Sequence, residues 1–273
     1  MSEKLNSIQG VGIGLRNQHF QYIVENRPSI SWFEVLSDNF LAEDGASIDS
    51  LQEIQRHYSM VLHSVGMSIG STDPLNKDYF KKYKKLINAI NSPFVSDHLS
   101  WISIDNRYFH ELLPLPYTKK IAYYVADRIR RIQDLINCPL IVENISSYLT
   151  YKESEMPEWE FINLVTDRAD CGILLDINNI YVNSINHQFE AIDYINAMES
   201  HRIKQFHLAG YTDCGTHLVD THSSKVSDSV WKLCKYALKK FGSIPILIEW
   251  DAEIPTFPIL VEETKRAEKL INM

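Results

Sequence analysis

The sequence predicts a (β/α)₈ barrel, and three observations carry that prediction. Eight short apolar runs recur along the chain, helical patterns separate them, and 273 residues with 45% hydrophobic content suffice for one large core. The runs that read as strands fall at 11–15 (VGIGL), 31–37 (SWFEVLS), 59–65 (SMVLHSV) and 94–102 (FVSDHLSWI). Four more follow at 139–146 (PLIVENIS), 172–178 (GILLDIN), 203–209 (IKQFHLA) and 244–250 (IPILIEW). Helical periodicity is clearest at 78–91, 118–136, 189–200 and 227–241, and weakest at 18–26 and 47–57. Helix starts carry the expected punctuation: Pro157 opens 157–169, and Ser227-Asp228 precede Val230. A doubly wound sheet is the alternative, but it rarely needs eight regular units. With no linker, low-complexity tract or short repeat, residues 1–273 read as one domain.

Charge and cysteine usage narrow the function classes. A formal net charge of −8 argues against duplex nucleic acid or an anionic membrane surface as the main partner. The N-terminal MSEKLNSIQG lacks an apolar signal core, and no run approaches the ~20 apolar residues of a spanning helix. The cysteines at 138, 171, 214 and 234 show no CxxC pairing, which speaks against a disulfide framework or thiolate zinc site and suits a reducing cytoplasm.

The polar residues at the C-terminal ends of the strands are the informative ones, because active sites of this fold lie at that face. The third strand ends in His63, the fourth carries Asp97 and His98, and the fifth ends in Glu143 and Asn144. The sixth gives Asp176, Asn178 and Asn179, the seventh His207, and the eighth Glu249 and Asp251. "IVE", "LLD" and "LIE" each run apolar residues straight into one carboxylate, Glu143, Asp176 and Glu249. Carboxylates converging on a barrel mouth repel unless protons or cations neutralise them, and neutral imidazoles are natural co-ligands for a divalent metal. The stretch "QFHLAGYTDCGTHLVDTHSS" (205–224) adds Asp220 and His222 from a loop. Four carboxylates and four histidines exceed the needs of one ion, so two or three metals are expected.

Taken singly, each strand-end histidine would be an ordinary hydrogen-bonded residue; their coincidence on strands three to eight turns the reading toward metal. His19, His57, His110 and His201 fall on helix or loop patterns and read as surface or packing residues. His187 and His217 lie in loops on the active face, around the ligands or against substrate. "GVGIGLR" (10–16) fails as a dinucleotide fingerprint, because its glycines fall within or before the strand and the spacing breaks at Leu15. Lysines 81, 82, 84 and 85 form a solvated helix face.

In order along the chain stand "HSVGMSIGS", "SDHLSW", "LLPLPYT", "ENISSYL", "LLDINNIYVNSINH", "HLAG", "DTHSS" and "LIEWDAEIP". Together they resemble the multinuclear non-haem iron-dependent oxidase family, over about residues 11–260. The resemblance implies a TIM barrel of the xylose-isomerase-like type with two or three irons, mixed Fe(II)/Fe(III), at its mouth. It implies the ligands His63, His98, Glu143, Asp176, His207, Asp220, His222 and Glu249, with Glu143, Asp176 and His207 at the catalytic centre. Asn144, Asp97, Asn178, His187 and Asp251 are expected around them. It further implies dioxygen as co-substrate, a cysteine of a ribosomally made precursor peptide as the target, and a small partner protein that grips the peptide. "LSDNF" (36–40) departs from the Glu-Asn-Tyr of many relatives, which bears on the peptide recognised rather than on the metals. The ligand types alone do not separate iron from zinc or manganese. They also suit a divalent-metal hydrolase or isomerase like the xylose isomerase and endonuclease IV barrels. A binding module without catalysis would leave a costly cluster of acids unused.

Overall fold

The eight barrel strands close on themselves in the computed structural model, which describes residues 8–41 and 48–272. In chain order the strands are β1 (Val11–Leu15), β2 (Trp32–Leu36), β3 (Ser59–Ser64), β4 (Val95–His98), β5 (Trp101–Ile104) and β6 (Arg107–Leu113). Then come β7 (Leu140–Glu143), β8 (Gly172–Asp176), β9 (Ile203–Leu208), β10 (Thr212–Asp213), β11 (Leu218–Val219) and β12 (Ile246–Ile248). The barrel runs β1-β2-β3-β4-β7-β8-β9-β12 and back to β1, parallel throughout. The pairs β5–β6 and β10–β11 are antiparallel and stand outside it.

The surrounding helices are α1 (Phe20–Asn26), α2 (Ile48–Gln55), α3 (Lys77–Ile90), α4 (Lys119–Ile136) and α5 (Glu158–Ala169). They continue with α6 (Ile177–Asn186), α7 (Ala191–Ala197), α8 (Asp228–Phe241) and α9 (Phe257–Ile271). Their limits follow from caps. Asn76, Thr118 and Ser227 accept N–H bonds from the first turns of α3, α4 and α8. Asn91 and Asn137 end α3 and α4 in the left-handed region that asparagine tolerates. No helix among the described residues is long and apolar enough to cross a membrane.

Three local expectations change. The run 94–102 is not one strand: β4 stops at His98, and Trp101 starts a hairpin that turns at Asp105-Asn106. Both turn residues have positive φ, 51° and 59°, the pattern of a tight two-residue hairpin. The run 172–178 ends at Asp176, whose side chain accepts from Asn179 N and caps α6, a helix over Ile177–Asn186 that the sequence reading does not place. The helix expected over 189–200 is the shorter α7, and residue 47 of the 47–57 helix lies outside the described residues.

Most buried side chains lie between strands and helices, but Ile8, Trp32, Val61, Phe94, Ile141, Leu174 and Leu247 form a separate cluster. Six of these belong to barrel strands or the residue just before one, and they plug the interior. Successive strand residues face opposite ways, so the residue two positions further on faces the interior again, nearer the C-terminal mouth. Two beyond Trp32 is Glu34, beyond Val61 His63, beyond Ile141 Glu143, beyond Leu174 Asp176, and beyond Leu247 Glu249. Phe94 leads by the same step to Ser96 and then His98, and β9 adds Gln205 and His207. The apolar plug therefore carries a polar layer directly above it.

Candidate metal centre

That polar layer contains two adjoining groups of donors, and a third lies at its rim. His63, His98 and Glu143 offer ligand atoms within 4.8 Å of one another; so do Glu143, Asp176, His207 and Glu249, and so do His222, Glu249 and Asp251. Two donors each ~2.0–2.3 Å from one ion are separated by at most about twice that distance, so each group has the span of a single coordination sphere. Glu143 belongs to the first two groups and Glu249 to the last two.

In the first group, Oε2 of Glu143 is 3.5 Å from His63 Nε2 and 3.4 Å from His98 Nε2. His63 is oriented from behind by Ser96, whose Oγ lies 2.8 Å from its Nδ1. Asp97 braces the same strand end, accepting from the backbone N–H of His98 at 2.6 Å and of Met67 at 2.9 Å. In the second group, His207 Nδ1 is 3.2 Å from the other Glu143 oxygen, Oε1, and 3.0 Å from Glu249 Oε2. Its far nitrogen, Nε2, is 3.1 Å from Glu34 Oε2, which also accepts from Gln205 Nε2 at 2.6 Å. A carboxylate behind an imidazole fixes its tautomer and orientation, here leaving Nδ1 for the centre of the cluster. Asp176 divides its oxygens: Oδ1 accepts from Asn179 N at 2.7 Å, and Asn144 clamps its backbone from both sides at 2.8 and 3.0 Å.

The third group arrives on the loop after β9. Gly210 lets this loop fold back onto the strand end, since a Cβ there would collide with the backbone of Ser224. His222 has a left-handed backbone, φ 45°, held by Asp251 N–H donating to its carbonyl at 2.8 Å. Its Nδ1 lies 3.1 Å from Asp251 Oδ2 and 3.4 Å from Glu249 Oε2, while Nε2 lies 2.6 Å from Asp220 Oδ1. Asp220 also accepts from Asn178 at 2.8 Å and Ser146 at 3.0 Å, so it stands on the other side of His222 from the third group. Arg16 pairs with Asp251 and reaches Glu249 at 4.0 Å, adding a fixed positive charge at the lip.

Electrostatics show how tightly these groups depend on one another. Burial opposes ionisation of Glu143 and Glu249, yet the imidazoles of His207 and His98 depress the first, and those of His207 and His222 hold the second well below the usual carboxylate range. Burial likewise works against charge on His98, but Glu143 and Asp97 bring it up to about 9. Asp176 goes the other way: burial, with the Glu143 charge beside it, pushes its carboxyl well above the ordinary value. Glu143 Oε2 and Asp176 Oδ2 are buried without a hydrogen-bond partner. Orphaned donors at the centre of a nitrogen and oxygen set are what divalent ions satisfy. The residues present fit metal.

All eight expected ligands lie at this mouth, with Asp251 joining the third donor group and Asp220 beside it. Asp97, Asn144 and Asn178 brace them as described. His187 does not: its Nε2 contacts Ser147 Oγ at 2.9 Å in a neighbouring cavity. His217 is exposed and packs edge-on to Tyr148. Glu34, Ser96, Gln205 and Arg16 escape a reading confined to the last residue of each strand. For the first three, the two-residue step along the interior face is the signal.

A family model for the RiPP precursor modification enzymes MbnB/TglH/ChrH matches residues 10–272. The chain belongs to this family. RiPP denotes a ribosomally synthesised, post-translationally modified peptide. Among curated relatives, a UPF0276 protein of Acaryochloris marina is 45% identical over 264 residues, covering 97% of this chain and 95% of its own. A second, from Anaeromyxobacter sp., is 44% identical over 261 residues, covering 96% and 92%. Among solved structures, endonuclease IV from Thermus thermophilus superposes with a TM-score of 0.62 at 12% identity, covering 96% of this chain and 98% of that one. A D-tagatose 3-epimerase-like protein gives 0.63 at 14% identity, covering 97% and 98%. At such identities the likeness concerns the barrel alone.

Proposed function

We propose that this member of the MbnB/TglH/ChrH family is a multinuclear iron-dependent oxidase that uses dioxygen to modify a cysteine of a ribosomally made precursor peptide. The observation that carries the reading is three adjoining donor groups joined by two shared glutamates. Neighbouring ions in such groups suit chemistry that divides electrons and substrate between metals. His63 and His98 would hold one ion, Asp176 and His207 a second, and His222 a third; Glu143 and Glu249 would each span two, with Asp220 and Asp251 flanking His222. Iron bound there would supply one-electron chemistry with dioxygen and would acidify a coordinating thiol.

The chain's own residues set the rest. Glu34, Ser96 and Asp97 fix the histidines that face the centre, so little reorganisation is left for the reaction itself. The cavity over the cluster, about 490 Å³ and lined by Arg16, Leu36, Asn39, Val65 and Leu112 besides the donors, has room for a short extended segment of peptide. A small protein that grips the remainder of the peptide is part of the proposal, as is the cytoplasm, where the thiols of Cys171, Cys214 and Cys234 would persist. Oxygen uptake by the iron-loaded protein tests the substrate class. It should require a cysteine-containing precursor peptide and vanish with the Cys→Ser version, because serine offers no soft thiolate. Undiminished turnover of the serine peptide would remove cysteine from the reaction.

A further inference from the structure

A second cavity opens beside the metal centre, and the function proposed above makes no use of it. Its volume is about 240 Å³, below the ~300–1,000 Å³ of pockets for whole small ligands, and so it suits one side chain. Leu115, Leu149 and Met156 give it apolar walls; Tyr117, Trp159 and Phe189 add aromatic ones. Trp159 and Phe189 are themselves fixed in a cluster with the buried Tyr194, at centroid distances of 5.5–6.1 Å.

One acid, Glu158, also lines the cavity. Burial pushes its carboxyl up to about 8, against the pull of the polar groups of Tyr194, Asn183 and Tyr117 that face it. No cation is among the described groups that set its acidity. The Tyr194 hydroxyl, fully buried, is one of the groups that face this carboxyl. A carboxyl that burial keeps protonated in the absence of a cation would ionise when one binds beside it; set among aromatic faces and reached past apolar walls, it matches a ligand with an aliphatic stem and a cationic head.

Two elements tie this cavity to the metal centre. Ser146 donates to Asp220, while the next residue, Ser147, lines the cavity. The helix α6 begins at the cap made by Asp176, and His187, the residue that follows its last turn, is another lining residue.

We propose that this cavity is a subsite for a lysine or arginine side chain of the peptide substrate, the stem lying against Leu115, Leu149 and Met156 and the cation meeting Glu158. The identity of the ligand rests on the peptide reading above; the preference of the cavity for a cation does not. Calorimetric titration of the metal-loaded full chain with n-butylguanidinium, and with uncharged n-butylurea of similar shape, tests it. The guanidinium should bind saturably and at least about tenfold more tightly than the urea. Glu158→Gln should lose that preference while keeping its metal content. If Glu158→Gln does not fold, Leu149→Lys serves instead: Leu149 is 44% exposed at the opening, and the new ammonium should compete with the ligand. Equal binding of the two probes, no saturable binding of the guanidinium, or guanidinium binding unchanged in the folded variant would overturn the subsite. Iron content and cysteine-dependent oxygen uptake, measured on the same samples, show separately whether the oxidase reading stands.

Discussion

Two side chains, Glu143 and Glu249, each belong to two donor groups, and Glu143 divides its oxygens between them. Glu143 presents Oε2 to His63 and His98 and Oε1 to His207, so a single carboxylate faces two donor groups through different oxygens. Glu143→Gln replaces one oxygen by an amide nitrogen that cannot ligate and removes the charge between two cations. It should disturb two ions together, whereas His63→Ala should mainly affect one. Metal counts and magnetic spectra of the two variants decide this, and an intact coupled pair in Glu143→Gln would show that Glu143 is no bridge. Glu34 acts from behind, through its contact with His207 Nε2. Glu34→Gln should lower the iron affinity of the middle group about 10–100-fold, as loss of a supporting carboxylate typically does. Chelator titration of folded protein reads that change, and an unchanged curve would leave Glu34 a purely structural residue.

The elements differ in how firmly they hold their donors. The barrel strands fix His63, Glu143, Asp176 and His207 over a close-packed plug, but His222 rides on a loop with a strained backbone. A loop-borne ligand is held less rigidly, so the third group should hold the weakest ion. His222→Ala should lose about one metal per chain while circular dichroism shows the barrel intact; full occupancy would rule His222 out as an essential ligand. The same contrast explains what could be read from the sequence. Strands ending in a single carboxylate, such as "LIVE" and "GILLD", declare themselves, because burial makes the run apolar and the mouth makes its last residue polar. Glu34 was less legible because β2 continues past it with Val35 and Leu36, so the acid sits inside the strand rather than at its end. The hairpin β5–β6 was hidden by continuity: "VSDHLSWI" reads as one strand, and the break comes from turn geometry at Leu99-Ser100. The start of α6 depended on Asp176, a residue that both caps a helix and faces the cluster, and a strand reading absorbs it.

At the scale of the whole molecule, fold and chemistry separate. The same barrel superposes on an endonuclease and on a sugar-epimerase-like protein at 12% and 14% identity, so the architecture is compatible with quite different reactions. The metal reading of this chain rests on the polar layer over the plug, where three adjoining groups of imidazole and carboxylate lie at or beneath a cavity of about 490 Å³. Those donor types accept iron, zinc or manganese, and only the metal retained decides among the chemistries. The most direct measurement is metal analysis with Mössbauer and EPR spectra of protein purified anaerobically, without added metal, from cells replete in iron and zinc. Two to three irons per chain are expected, at least two of them magnetically coupled through a shared glutamate. Tightly bound zinc with no iron would overturn the oxidase reading.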